Sequence, residues 1–366
     1  MTQIKIESLR SISATETWRG WPTIARLDHG ELIVVCSGGR DAHVCPFGQV
    51  QAFRSSDQGA TWSEPEILVN GPLDDRDAGL LLTSKGSLLV NWFTSVAWRH
   101  LLQNEHQPRS ENFNWPLISR CQKVERLMDD ALIDRELGTW SIRSTDGGKT
   151  WSEKTDSVVG SPHGPTEMPD GRLVYVGQRR ADPVREGRNG SPYQFCIGAA
   201  ESLDDGQTWT WIGEVKFPEE LAGGNHEPHA VALPDGRLLV HIRNHGIPGG
   251  QILQCESEDG GRTFSTPRTI GLDGLPPHLL CLRDGRILSS YGYRRDPYGI
   301  RLSISSDQGR NWSEPIILDE KAEARDLGYP ATVELDDGSF YTVWYEALPS
   351  NRPVATIEAA RWRLQD

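Results

Sequence analysis

No stretch of the 366-residue chain approaches the roughly 18 consecutive apolar residues of a membrane span, and the opening MTQIKIESLRSIS has no apolar h-region. As it stands, the chain is expected in the cytoplasm; removal of a leader would change that expectation to secretion or the periplasm. Basic charge is also scarce. The 38 Lys and Arg against 51 Asp and Glu leave a formal net charge of −13, which excludes nucleic acid and anionic membranes as natural partners. An acidic ligand must therefore be caught by a local group of arginines. The six cysteines (Cys36, Cys45, Cys121, Cys196, Cys255 and Cys281) contain no CxxC pair, and several lie in apolar runs such as LIVVC and HLLCL. Buried free thiols are expected, not a disulfide framework.

Repetition is abundant. SSDQGATW at Ser55 returns as STDGGKTW at Ser144, SLDDGQTW at Ser202, SEDGGRTF at Ser257 and SSDQGRNW at Ser305, with separations of 89, 58, 55 and 48 residues. Five copies cannot all be one active site. A calcium loop needs more oxygen ligands at fixed offsets than this string offers; Asp and Ser bonding turn backbone, with Gly at positive φ, make it a strand-turn device. A second signal alternates with it, an apolar run, a D-G or similar turn and another apolar run, as in PTEMPDGRLVYVGQ and AVALPDGRLLVHIR. Six such hairpins occur.

Each hairpin with two further strands makes a four-stranded unit. The expected fold is all-β: a six-bladed β-propeller of four-stranded antiparallel blades, a single domain over 1–366. The N-terminal QIKIESLRSIS is expected to close the last blade beside VATIEAARWRL, removing an open edge. The long 89-residue gap implies a partly helical insertion at about 99–140 in the second blade, projecting from the rim, because SRCQKVERLMDDALIDREL has helical apolar spacing.

The repeated string resembles the Asp-box of the sialidase (neuraminidase) superfamily, and the resemblance covers essentially the whole chain. Opposite the boxes, strand ends gather Arg19, Asp77, His163, Glu227, His278 and Tyr329, with Arg243 and Arg294 close to second-strand ends. RGWPTIARLDHGELIVVCSGGR resembles the family's Arg-Ile-Pro segment and its following GR, which implies that Arg19 is the first of three arginines clamping a substrate carboxylate. It stands three residues before Pro22, where the family has two. HEPHAVALPDGRLLVHIRN is similar to the segment pairing a glutamate with the second arginine, implying Glu227 and Arg243. GYPATVELDDGSFYTVWYE looks like the segment of the nucleophilic tyrosine, implying Tyr329, and ends at Glu346, where the family keeps a glutamate holding the first arginine. The third arginine is Arg301, Arg294 or Arg295, with Arg301 favoured by its distance to Tyr329. The nearest match to the general acid is Asp41, with His43 and Asp77 as alternatives.

The implied activity is exo-glycoside hydrolysis of a terminal acidic sugar in an oligosaccharide or glycoconjugate, without cofactor or metal. Phenols ionise near pH 10, so Glu227 would take the proton of Tyr329; tyrosine nucleophiles are the sialidase exception to two-carboxylate chemistry. The histidines His43, His163, His226, His229 and His278 keep other readings open. One is a metal site of imidazoles and carboxylates. Another is a uronate-directed lyase using His43, His163 and Tyr329. A third is a non-catalytic glycan-binding propeller.

Overall fold

The structure is a computed structural model that describes residues 3–13, 16–103, 115–180, 195–247, 250–349 and 354–365. The strands run in chain order as β1 (Gln3–Ser11), β2 (Trp18–Arg26), β3 (Leu32–Arg40), β4 (Gln49–Ser55) and β5 (Glu66–Val69). Next come β6 (Asp74–Leu82), β7 (Leu88–Ser95), the helices α1 (Arg99–Gln103), α2 (Trp115–Glu125) and α3 (Asp130–Glu136), then β8 (Thr139–Ser144) and β9 (Thr155–Asp156). The third group is β10 (Thr166–Glu167), β11 (Leu173–Arg180), β12 (Phe195–Ser202) and β13 (Thr210–Glu214). The fourth is β14 (Asn225–Ala232), β15 (Leu238–Asn244), β16 (Gln251–Ser257) and β17 (Arg268–Asp273). The fifth is β18 (Pro277–Cys281), β19 (Ile287–Tyr293), β20 (Gly299–Ser305) and β21 (Ile316–Asp319). Last are β22 (Leu327–Glu334), β23 (Phe340–Leu348) and β24 (Val354–Gln365).

The chain is an all-β propeller, but the expectation of six four-stranded blades is corrected. Among the described residues, four sheets are four-stranded antiparallel blades, and the other eight strands form one sheet ordered β22-β23-β24-β2-β3-β4-β5 with β1 on β24. The cause is a partly open edge. β1 covers β24 only from Glu358 to Gln365, so the uncovered start of this 12-residue strand pairs Ala355 with Trp18 of β2 in parallel. An unpaired edge takes the partner within reach.

The hairpin turns share one geometry. Leu233 N donates to Arg237 O and Gly236 N to Leu233 O, and the same pair recurs at Leu27, Thr83, Met168, Leu282 and Leu335. Gly236 sits at φ +87 with open space around its missing Cβ, so left-handed backbone, not crowding, demands glycine there. The five repeated turns also share a bonding pattern. Gly59 N donates to Ser55 Oγ, Ser55 Oγ to Asp57 Oδ1, and Thr61 N and Oγ1 to the two oxygens of Asp57, all at 2.7–2.8 Å. The glycine and the aromatic then reach the neighbouring blade. Gly309 lies under Leu239, and Trp312 Nε1 donates to Gln254 at 2.9 Å. These carboxylates spend their acceptors on their own turns and fasten sheet to sheet at the ends of third strands, leaving the first-strand starts for other work.

Candidate functional site

The first strands carry bulges at matching places. The pairing register slips between Gly20 and Thr23, Arg76 and Gly79, His226 and His229, and Gly328 and Ala331. Within each slip one side chain is forced to positive φ: Trp21 (58°), Asp77 (52°), Glu227 (44°) and Tyr329 (55°), with His163 (73°) at the start of the third blade. Bulky residues avoid this region, and bulges beside sites re-aim side chains. Each of the five is followed by Pro, Ala or Gly (Pro22, Ala78, Gly164, Pro228, Pro330).

Two bulge residues meet. Tyr329 Oη donates to Glu227 Oε1 at 2.6 Å, and Arg243 Nη1 donates to Tyr329 Oη at 2.9 Å and pairs with Glu227 Oε2. Burial pushes Glu227 upward, but Arg243 and the phenol bond outweigh it and hold the carboxyl below its ordinary range. Tyr329 is driven well above 10, by burial first and then by the Glu227 charge, against Arg243. The resting group is a phenol hydrogen-bonded to an ionised carboxylate, an arrangement in which the carboxylate can take the phenolic proton. His245, its pKa depressed to about 4 by burial and by Arg243, stays neutral and accepts from Arg243 Nε at 2.6 Å.

Around this trio lie Asp77 and His43, which the sequence named, and several residues that sequence reasoning passed over. The indole of Trp21 is edge-on to Tyr329 (6.2 Å) and His43 (5.2 Å), with the guanidinium groups of Arg76 at 4.4 Å and Arg40 at 4.9 Å. Arg40 is fully buried and holds Asp74 bidentately at 2.6 and 3.0 Å. Asp77 is buried with Oδ1 unpartnered and is pushed up to about 7, by burial first and by Glu227, against Arg76, Arg40 and Arg243. The small residue after each strained position was a readable signal for Trp21. Nothing in the sequence marks Asp326, which accepts from His43 Nδ1 at 2.9 Å and Tyr345 Oη at 2.5 Å.

The other expected residues separate. Arg19 Nε donates to Gln51 at 3.1 Å and its guanidinium lies over Phe53, within its own sheet. Arg301 is buried on the carbonyls of Asp319 (2.6 Å) and Ile300 (3.3 Å). Glu346 accepts from Trp344 at 2.7 Å and faces the charges of Asp319, Glu358 and Glu323. Arg294 differs: Nε binds Leu327 O at 2.9 Å, while Nη2 is buried without a partner. It lines a cleft with His245, Arg295 and Arg325, and its charge acts on Tyr345, Asp326 and His245. Arg295 pairs with Asp273 at 3.3 Å. Asp41 pairs with Arg120 of α2.

His163, His229 and His278 form a buried cluster with ring centroids 4.7–5.3 Å apart. Burial, the leading cause in each, keeps all three neutral near pH 7. Among the described residues no group of three or more His, Cys, Asp or Glu is arranged to hold a metal ion, and no helix is long and apolar enough to cross a membrane.

Residues 131–342 match the BNR repeat-like domain, which is more than half of the chain. The chain belongs to the BNR repeat-like family. A sialidase of Micromonospora viridifaciens is 26% identical over 218 residues, covering 51% of this chain and 32% of that protein. A sialidase of Bacteroides fragilis is 24% identical over 299 residues, covering 73% and 49%. The chain thus spans about half or less of the length of these two relatives. A Dyadobacter fermentans protein of unknown function superposes with TM-score 0.77 at 23% identity over 99% of both chains. A sialidase of Streptococcus pneumoniae superposes with TM-score 0.68 at 13% identity, over 98% of this chain and 70% of that one. At such identities the superpositions establish the fold alone.

Proposed function

We infer that the chain is a sialidase-like exo-glycoside hydrolase acting on a terminal acidic sugar, with Tyr329 as nucleophile and Glu227 as its base. The observation that carries this reading is the Tyr329–Glu227–Arg243 triangle. A phenol donating to an ionised, half-buried carboxylate at 2.6 Å needs only a shift of that proton to become an attacking phenolate. A nucleophile that is neutral before attack suits an anomeric carbon bearing a carboxylate, which would repel an anion.

Arg243 and Arg294 take the substrate carboxylate in this reading. The unpartnered Nη2 of Arg294 supports the assignment, because a guanidinium edge without an acceptor matches a carboxylate. Arg301 supplies structure, since backbone carbonyls occupy it. The elimination alternative draws no support from His163, which is 2% exposed within the histidine cluster. The test is release of free sugar from α-sialosides and uronosides offered side by side, with absorbance monitored for unsaturated uronate. Free sialic acid without that absorbance supports the reading; an absorbing product overturns it.

A further inference from the structure

We propose that His43, oriented by Asp326, is the general acid–base of this site. The inference rests on the glycosidase reading and deepens it. The aspartate that the sequence favours, Asp41, has its carboxylate on Arg120, whose guanidinium stacks 4.0 Å over Phe47. Asp41 therefore fastens the helical insertion to the loop that follows β3. Two residues on, His43 has what an acid–base group needs. The half-buried Asp326 is held below the ordinary carboxylate range; partial burial opposes ionisation, but His43, Tyr345 and Arg294 outweigh it. An ionised carboxylate only accepts, so Nδ1 carries the hydrogen across the 2.9 Å bond and Nε2 is left for chemistry. Tyr345 Oη on the second oxygen of Asp326 fixes the carboxylate in turn.

Position agrees with chemistry. The buried Trp21 indole is edge-on to the Tyr329 ring and to the His43 ring, so one rigid side chain spaces the imidazole from the nucleophile. The His43 side chain is 43% exposed, whereas Tyr329 is 4% exposed; the nucleophile lies at depth and the proton donor at the mouth, where a leaving group departs. The loop is held from two directions. Arg40 donates to Ala42 O at 3.3 Å and His43 O at 3.1 Å. Ala42, Val44 and Phe47 pack with Trp98, Leu117 and Cys121 of the insertion. Catalytic precision requires such support behind the acting residue.

The steps balance. Tyr329 Oη bonds the anomeric carbon as the glycosidic C–O bond breaks; the phenolic proton passes to Glu227, and the leaving oxygen takes the Nε2 proton of an imidazolium. Neutral His43 then takes a proton from water, the water oxygen displaces Tyr329, and Glu227 returns the phenolic proton.

Leaving-group dependence tests the assignment. A 4-methylumbelliferyl α-sialoside needs little acid help; 3′-sialyllactose needs a full proton. His43→Ala is expected to lower kcat/KM on sialyllactose by about 100-fold or more, and on the aryl sialoside by less than about 10-fold, with partial rescue by added imidazole. Asp326→Asn should reproduce the pattern at smaller amplitude, and Asp41→Asn should lower both substrates alike. His43→Gln, with circular dichroism of each variant, separates chemistry from misfolding. Equal losses on both substrates for His43→Ala and His43→Gln, or leaving-group selectivity in Asp41→Asn, would overturn the proposal while leaving the glycosidase reading intact. A wild-type chain that hydrolyses neither these sialosides nor uronosides removes that reading, and the proposal with it.

Discussion

Tyr329 and Glu227, separated by 102 residues in sequence, are joined by a 2.6 Å hydrogen bond between side chains on different sheets. Both stand on left-handed backbone, at φ 55° and 44°. Strain of this kind costs on the order of 1–3 kcal/mol per residue, and the pair holds it at the residues proposed to do the chemistry.

Removing either end of that bond should abolish turnover without unfolding the chain. Tyr329→Phe and Glu227→Gln are each expected to lower kcat by on the order of 10³-fold or more. Full hydrolytic activity in both variants would contradict the assignment.

Arg294 and Arg301 should part company. Arg294→Gln loses a charged hydrogen bond to the substrate carboxylate, which raises KM by about 10- to 100-fold. Arg301→Gln frees the carbonyl of Asp319 in a buried setting and should cost about 1–3 kcal/mol of stability in urea unfolding, with KM little changed. The opposite pattern would restore Arg301 to the site.

The buried histidines predict an acid sensitivity of known sign. His278 is neutral in the fold because burial depresses its pKa well below 6.5, while in the unfolded chain it protonates near its ordinary value. Below about pH 6.5 the unfolded state binds more protons, so stability falls with pH, by on the order of 1 kcal/mol per unit for this residue. Asp77 and Asp75, both raised to about 7 by burial first, act in the opposite direction over that range. They cancel in a comparison of wild type with His278→Gln. Urea midpoints at pH 7.5, 6.5 and 5.5 should fall less steeply in the variant; parallel curves would refute the assignment.

Gly309 tests the sheet-to-sheet turns. Its φ of +85 and the approach of Leu239 within 2.9 Å of a built Cβ predict that Gly309→Ala destabilises the chain by about 1–3 kcal/mol. Kinetic constants should not change, because the turn lies at the opposite ends of the strands from Tyr329. Wild-type stability in this variant would contradict the role given to the turn.

Local signals made the hairpins and the repeated turns legible in the sequence, while Glu227, Arg243 and Tyr329 were named through the resemblance to the sialidases. D-G turns and short polar-glycine strings act over a few residues, and the 16-residue spacing of Glu227 and Arg243 is that of one hairpin. Sheet count was not legible, because it depends on how far β1 covers β24, which leaves Ala355 free to pair with Trp18. Arg19 lies on Gln51 and Phe53 of its own sheet, and the bulge turns Trp21 toward Tyr329, which the sequence pattern around Arg19 does not reveal. The His43–Asp326 bond joins residues 283 apart, and only the tertiary fold reveals it.

Covalent capture of the sugar is the most direct measurement. The chain is incubated with a 3-fluoro sialosyl fluoride, then weighed intact and digested for peptide mapping. A single sialosyl adduct on Tyr329, absent in Tyr329→Phe, is the predicted result. An enzyme that turns the reagent over with the label on another residue, or with none, would contradict a tyrosine nucleophile held by Glu227.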